Sequence, residues 1–453
     1  EHKELARKSW KGEQLAGQDA QLKDVMEESG PTSFVGYETL ESMATIAALF
    51  VEGERVEEAR EGQAVQVVLN ETPFYAESGG QVGDKGEIAT EGVVIQIEDT
   101  TKTAAGFYLH HGRVQSGTAR VGQSVNATVG ESLRRATMRN HTATHLLQGA
   151  LKRVLGKHVT QAGSLVTPEG FRFDFTHMQA LTPEEMRSVE SIVNEQIRAN
   201  RPVSTRVMNK DEAFKVGAIA PFGEKYGEVV RVVQVENFST EFCGGTHLHA
   251  TGEIGLFLIT NESSIASGVR RIEAVTGEAA YETAANARAT LGTLSRALAT
   301  PAEELPARVE GLQTEIKSLR REIDKIRQKS SSSEIETVIA DAPSVQGVKV
   351  VTHTFEGLDV PQLRTMADVV RSKAAPSVAA LAVVNGEAIT VICAVSDDLK
   401  AKIGANAVVK EIAPIIGGGG GGRADIAQAG GKNAARLPEA MKAIEAFVQS
   451  KLA

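Results

Sequence analysis

Two histidines stand four residues apart in Arg139-Asn-His-Thr-Ala-Thr-His-Leu-Leu, at positions 141 and 145, and far downstream Cys243 and His247 repeat the spacing in Cys-Gly-Gly-Thr-His. Residues four apart on a helix share a face, and a loop can add one sulfur and one more nitrogen to close a tetrahedral zinc site. The expectation is one Zn(2+) per chain on His141, His145, Cys243 and His247. No Glu follows His141, so the helical zinc-protease pattern, in which that Glu is the base, is excluded. Gly244 and Gly245 let the loop bend so that thiolate and imidazole reach one ion. Glu241 precedes the cysteine by two residues. If Phe242 turns inward on an extended segment, Glu241 and Cys243 share a face, and Glu241 is then either a proton acceptor near the metal or a solvated carboxylate.

The elements that must position these groups follow from periodicity. Gly62 to Val129 alternates in short runs, as in Val65, Val67 and Leu69, and predicts a small β-barrel. Leu133 to Leu155 switches to helical spacing, with Leu147, Leu151 and Val154 on one stripe and the two histidines on the other side. Strands are expected at 159–166, 171–175, 229–235, 255–260 and 269–275. Thr182-Pro-Glu-Glu should open a helix through a capping box. From Gly277 the chain becomes helix-rich. A helical hairpin turning near Thr300 is predicted, and Val309, Leu312, Ile316, Leu319, Ile323 and Ile326 form a coiled-coil seam. Lys329-Ser-Ser-Ser-Ser-Glu334 is read as a flexible linker. The tail is read as strand, helix, two strands and two helices.

The fold class expected is therefore α+β: a small β-barrel plus an α+β zinc-binding core, a helical coiled-coil hairpin, then a small α/β C-terminal domain. The boundaries are 1–50 (a helical segment), 51–130 (barrel), 131–276 (zinc-binding core), 277–333 (helical arm and linker) and 334–453 (glycine-rich tail).

The chain has 453 residues, 42% hydrophobic and 24% charged, with a formal net charge of −9. That length exceeds one ordinary domain, and the acidic balance argues against a generally basic nucleic-acid coat. Residues 338–453 hold 12 Lys and Arg against 11 Asp and Glu, so the tail is the least acidic part. Two cysteines cannot build a disulfide framework, and a metal-binding thiolate favours a reducing, cytoplasmic setting. No stretch is apolar enough to suggest a membrane span. The opening Glu1-His-Lys-Glu reads as the middle of a helix, which suggests a fragment of a longer polypeptide.

The segments His-Thr-Ala-Thr-His-Leu-Leu-Gln (141–148), Thr-Gln-Ala-Gly-Ser-Leu-Val (160–166), Arg-Phe-Asp-Phe (172–175), Cys-Gly-Gly-Thr-His (243–247) and Gly-Val-Arg-Arg-Ile-Glu-Ala-Val-Thr-Gly (268–277) occur in that order. Together they resemble the editing domain of alanyl-tRNA synthetase, and Thr72 to Asp84 resembles that family's glycine-rich segment. The resemblance continues to the tail and covers essentially the whole chain. It implies a deacylase that hydrolyses Ser-tRNA(Ala) and Gly-tRNA(Ala), because a pocket for alanine cannot strongly reject glycine or serine and a second site must supply the discrimination. It places Gln161 beside the substrate and makes Glu77, Ser78 and Gln81 candidates for the pocket wall; with four ligands on the metal, Glu241 or another group must handle the proton. Arg172, Arg270 and Arg271 suit phosphates of the acceptor stem, with Asp174 a partner for Arg172. In the tail, the run Gly417 to Gly422, with Gly419 and Gly420 at its centre, could bring backbone amides to a phosphate, helped by Arg423, Lys432 and Arg436. The resemblance makes the tail a tRNA-binding and homodimerising domain, and assigns ATP-dependent attachment of alanine to residues outside this chain. His110, His111 and His249 are read as structural, and Cys393 as core.

Two other readings stay open at this stage: a long free-standing trans-editing deacylase, and a non-catalytic RNA-binding and dimerisation module with a structural zinc.

Overall fold

The structure is a computed structural model that describes residues 14–103, 106–221 and 226–453 and forms two compact units, one up to Leu291 and one from Gly292. The helical reading of Glu1 to Lys8 lies outside the described residues. The whole is mixed α and β, as expected.

In the first unit, strands Glu41–Val51, Ala64–Leu69, Tyr108–Ser116, Val93–Lys102, Gly86–Thr90 and Ser124–Val129 pair in that spatial order, and the last pairs back onto the first to close a barrel. Alternation dictates the inside: Val65, Val67, Leu69, Ile88, Ile95 and Val125 are buried in one core. The barrel starts earlier than position 51. Glu41–Val51 is a strand in which Ala44, Ile46 and Leu49 point into the barrel, with a shift of register between Ile46 and Ala48, and its alanines disguise the alternation. A helix, Gln14–Ser29, precedes it and sets Leu22 and Val25 against Phe50 and Phe107.

The 25-residue helix Glu131–Leu155 leaves the barrel. Its Arg134 is buried and bonds Asp84, the Gly36 carbonyl (2.6 Å) and the Pro73 carbonyl (2.8 Å), which locks the first helical turn to the barrel. Leu147 and Leu151 pack on an antiparallel sheet whose order is Gln161–Val166, Phe171–Thr176, Val269–Thr276 and Phe257–Ala266. Phe173, Phe175 and Phe257 are fully buried there, each contributing about 1.5–3 kcal/mol of apolar burial. Thr182 caps Pro183–Arg198 through the expected capping box. A second sheet joins Val203–Asn209, Val229–Val235 and Ser239–Phe242; the first and last of these carry no clear alternation and were not foreseen. Both sides of the histidine helix are buried, since the sheet covers one and the Cys243–His247 loop the other.

The helix Gly277–Leu298 runs across the boundary between the units, so the first unit does not end at residue 276. A turn at Ala299–Pro301 leads to Leu305–Asp341, a helix of 37 residues. The serine run is helical, not a linker: Ser331 Oγ bonds the Arg327 carbonyl (2.9 Å), and Ile335, one turn on, is buried in the tail core. The expected seam is helical but half exposed, with Val309 at 44% and Ile326 at 60%, so no coiled coil closes over it among the described residues.

The tail is a six-stranded mixed sheet in the order Ser344–Val345, Val348–Phe355, Ser377–Asn385, Ala388–Val395, Ile426–Gly431 and Gly419–Gly422. Helix Val360–Lys373 covers one face; Ala405–Ile412 and Leu437–Leu452 cover the other. Within the glycine run, Gly419–Gly422 is an edge strand. A Cβ at Gly420 would meet Val409 at 2.6 Å, so the missing side chains let this strand lie close to the helix. Cys393 is fully buried, and burial pushes its thiol up to about 12.

Candidate metal centre and the cavities beside it

One turn of helix separates His141 from His145, whose rings stack with centroids 5.6 Å apart. Cys243 leaves the end of strand Ser239–Phe242, and the loop returns His247 to the same point. Cys243 Sγ stands 3.3 Å from His141 Nε2 and 3.3 Å from His247 Nε2. The donor atoms of all four residues lie within 4.8 Å of one another.

Each histidine is oriented by a bond on its far nitrogen. Gln81 Oε1 accepts from Thr246 N–H (2.9 Å) and so must also accept from His141 Nδ1 (2.7 Å), while Gln81 Nε2 donates to Thr246 Oγ1. Glu241 Oε2 accepts from His145 Nδ1 at 2.8 Å, and its other oxygen accepts from Ser239 Oγ. His247 Nδ1 lies 3.2 Å from Thr142 Oγ1. His141 and His145 are thus held with the Nδ1 proton donated outward and Nε2 turned to the centre, as outer-shell partners of ligating histidines do. His145 Nε2 is buried with no hydrogen-bond partner, which a cation at the centre would supply. This donor set and the orphaned nitrogen fit zinc.

The four groups are electrostatically coupled. Burial raises the Cys243 thiol, but His141 and His247 pull it well below its ordinary value, toward the thiolate. Burial lowers His145, yet Glu241 and Cys243 hold it up to about 10, whereas burial and His141 press His247 down to about 3.

Only one of the two loop glycines is spatially required. A Cβ at Gly245 would overlap the His141 ring, whereas one at Gly244 would meet nothing within 4 Å. The loop carbonyls are pinned from outside. Arg231 Nη1 donates to Cys243 O (3.0 Å) and Gly245 O (2.8 Å), Tyr37 Oη donates to Gly244 O, and the guanidinium lies over the Tyr37 ring at 4.1 Å. Motif reading missed Thr142, Thr246, Arg231 and Tyr37, because none has distinctive spacing to the ligands.

A cavity of about 520 Å³ opens on His141 and Cys243, walled by Tyr75, Ser78, Gly79, Tyr226 and Phe242. Of the expected pocket residues it includes Ser78. Gln81 lies behind His141, fully buried, and Glu77 is exposed and not among the walls. Gln161 also stands outside the walls and donates to Ser164 Oγ (2.9 Å). Phe242 packs inward with Val230 and Val232 as anticipated. Glu241, however, is 2% exposed with both oxygens engaged behind His145, so it is neither a solvated carboxylate nor a free proton acceptor.

The arginines are largely paired. Arg271, not Arg172, holds Asp174 (2.6 and 2.8 Å); Arg270 holds Glu262; Arg172 is exposed. In the tail, Arg423 meets Asp425 and Arg436 meets Glu439, while Lys432 and the strand Gly419–Gly422 are exposed. His110 is buried between Thr72 Oγ1 (2.7 Å) and the Val67 carbonyl (2.8 Å), and His111 bonds Thr101 Oγ1 (2.7 Å). His249 is exposed. No helix among the described residues is long and apolar enough to cross a membrane.

Comparison with known proteins matches residues 1–133 to the family described as tRNA synthetases class II (A), 230–273 to the threonyl and alanyl tRNA synthetase second additional domain, and 347–450 to the DHHA1 domain. The chain is 45% identical over its whole length to 52% of the alanine–tRNA ligase of Acetivibrio thermocellus. It is also 45% identical, over 96% of its length, to 49% of that of Bacillus subtilis. It therefore spans about half the length of the curated relatives it matches. Among solved structures, the C-Ala domain of Aquifex aeolicus alanyl-tRNA synthetase is 32% identical over 24% of this chain and 98% of that one, with a TM-score of 0.24.

Proposed function

We propose that this chain carries the editing and tRNA-binding functions of an alanine–tRNA ligase and hydrolyses Ser-tRNA(Ala) and Gly-tRNA(Ala) in a zinc-dependent way. The observation that carries this reading is the convergence of four donor atoms, with His145 Nε2 buried and unpartnered, beside a cavity inside the region similar to the second additional domain. Attachment of alanine to tRNA(Ala), the activity in the relatives' name, is proposed for the whole protein, as are its ATP use, its cytoplasmic location and homodimerisation through residues 334–453.

His141, His145, Cys243 and His247 would hold one zinc, which when bound supplies a fixed positive charge that can polarise or orient an ester end. The chain's own groups do the remainder. Gln81 and Glu241 hold His141 and His145 in the binding tautomer, Arg231 and Tyr37 fix the loop, and Tyr75, Ser78 and Phe242 bound the space for the aminoacyl end. Gln161, Glu77, Arg172, Arg270 and Arg271 remain proposed contacts of a longer substrate, and Gly419, Gly420, Arg423, Lys432 and Arg436 of tRNA at the tail.

Four protein ligands fill a tetrahedral ion, and that observation favours a second reading in which zinc is structural. Release of serine from Ser-tRNA(Ala), measured for the intact chain and for Cys243→Ala, separates the two. Loss of hydrolysis with the fold retained supports the deacylase; an unchanged rate in the folded variant refutes it.

A further inference from the structure

On the far side of Glu241 from the metal centre lies a second cavity of about 480 Å³, at the C-terminal end of the histidine helix. Its walls are one helical face, Gln148, Lys152 and Arg153, then Lys157 past the helix end, and the turn Asn237–Phe238 of the hairpin. Gly149 makes the approach possible: a Cβ there would stand 2.6 Å from the Phe238 ring, so the hairpin could not close against the helix. Arg153 lies flat over that ring at 3.7 Å.

Two independent observations point to an anionic occupant. First, Lys152, Arg153 and Lys157 converge with no carboxylate within salt-bridge distance among the described residues. Burial and the neighbouring Arg201 lower Arg153, with only Glu195 opposing. The carboxylate at the floor, Glu241, is already engaged by His145 and Ser239. Second, Gln148 is 2% exposed, lines the cavity and has no hydrogen-bond partner in the described structure, although buried amides are otherwise paired. An unspent amide and three cations lining one cavity suit phosphate oxygens better than a carboxylate-bearing peptide or an apolar ligand.

We propose that this cavity is a phosphate-binding subsite that takes a phosphodiester of an RNA strand, with Lys152 and Lys157 as the charged contacts and Gln148 as the buried donor. It is distinct from the metal centre, yet separated from it only by the Glu241–His145 pair. A helix C-terminus is intrinsically unfavourable for an anion, so side chains, not the helix, must provide the attraction.

The test uses the full chain loaded with zinc and a labelled RNA hairpin carrying a single-stranded 3′ end, with affinity measured across a salt series for the parent protein, K152A/K157A and Gln148→Leu. Each lost phosphate contact lowers the slope of log affinity against log salt by about 0.7–0.9. The expected result for the double lysine variant is a slope reduced by about 1.5 and affinity weakened about tenfold or more at low salt, with zinc content unchanged. Gln148→Leu should weaken binding with no change of slope. In a second arm, inorganic phosphate replaces RNA, and thermal stabilisation is read. If the lysine variant loses phosphate stabilisation but keeps its RNA slope, the subsite exists for free phosphate and the RNA assignment is overturned. If both readouts match the parent protein, the subsite itself is refuted. Binding is measured without reference to hydrolysis, so failure of the deacylase reading leaves this result interpretable.

Discussion

Glu241 accepts the Nδ1 proton of His145 at 2.8 Å, and the opposite nitrogen of the same ring is the one buried atom at the centre left without a partner. A carboxylate in this position sets a ligand's tautomer and basicity; it does not face the cavity where an ester would sit. Removing such a partner typically costs 10–100-fold in metal affinity. Glu241→Gln should therefore bind zinc about 10–100-fold more weakly in a chelator competition, and saturating zinc should restore its hydrolysis. A variant that stays inactive when fully loaded would return Glu241 to the role of proton acceptor.

The two loop glycines should part company. Gly244→Ala has open space and should bind zinc and fold as the parent does, whereas Gly245→Ala drives a methyl into His141 and should lose the metal. Metal content of the two purified variants checks this, and equal occupancy would contradict the geometry.

Arg134 and Asp84 form a buried ion pair between the histidine helix and the barrel. Asp84→Asn leaves the guanidinium uncompensated and should destabilise the first unit by about 3–5 kcal/mol, while the apolar double variant R134M/D84L should recover much of the loss. Denaturant unfolding of the two measures it. A single variant as stable as the parent would show that the pair is dispensable.

Stability should fall with acid through His110. Burial lowers this imidazole from 6.5 to about 4, so between those values the unfolded chain takes up a proton that the folded barrel refuses. Its contribution is complete above pH 6.5 and is lost as pH falls toward 4, in all about 3 kcal/mol. The unfolding free energy of the parent should thus drop by about 2.5 kcal/mol more than that of His110→Gln between pH 7.5 and 4.5. Parallel curves for the two proteins would rule this histidine out as the source.

The convergence of His141, His145, Cys243 and His247 was legible in sequence because H-x-x-x-H fixes a helical face and Cys243 stands four residues before a histidine. Alternation and helical period likewise identified most of the barrel, the histidine helix and three of the six tail strands, but not Ser344–Val345, Gly419–Gly422 or Ile426–Gly431. Composition misled in three places. Alanines hid the period of Glu41–Val51, four serines read as a linker although buried Ile335 holds the helix together, and the glycine run gave no sign that Gly419–Gly422 forms a sheet edge.

Local pattern thus determined which side chains could ligate a metal and which segments carry them, since both depend on neighbours a few residues away. Only the tertiary structure decided what stands behind each ligand. Gln81, Glu241 and Thr142 reach their histidines from 60, 96 and 105 residues away, and the Tyr37 hydroxyl reaches the loop across 207. Such contacts are set by the closure of the barrel against the helix and hairpin, and hydrogen-bond partners chosen by packing leave no periodic trace in the chain that supplies them.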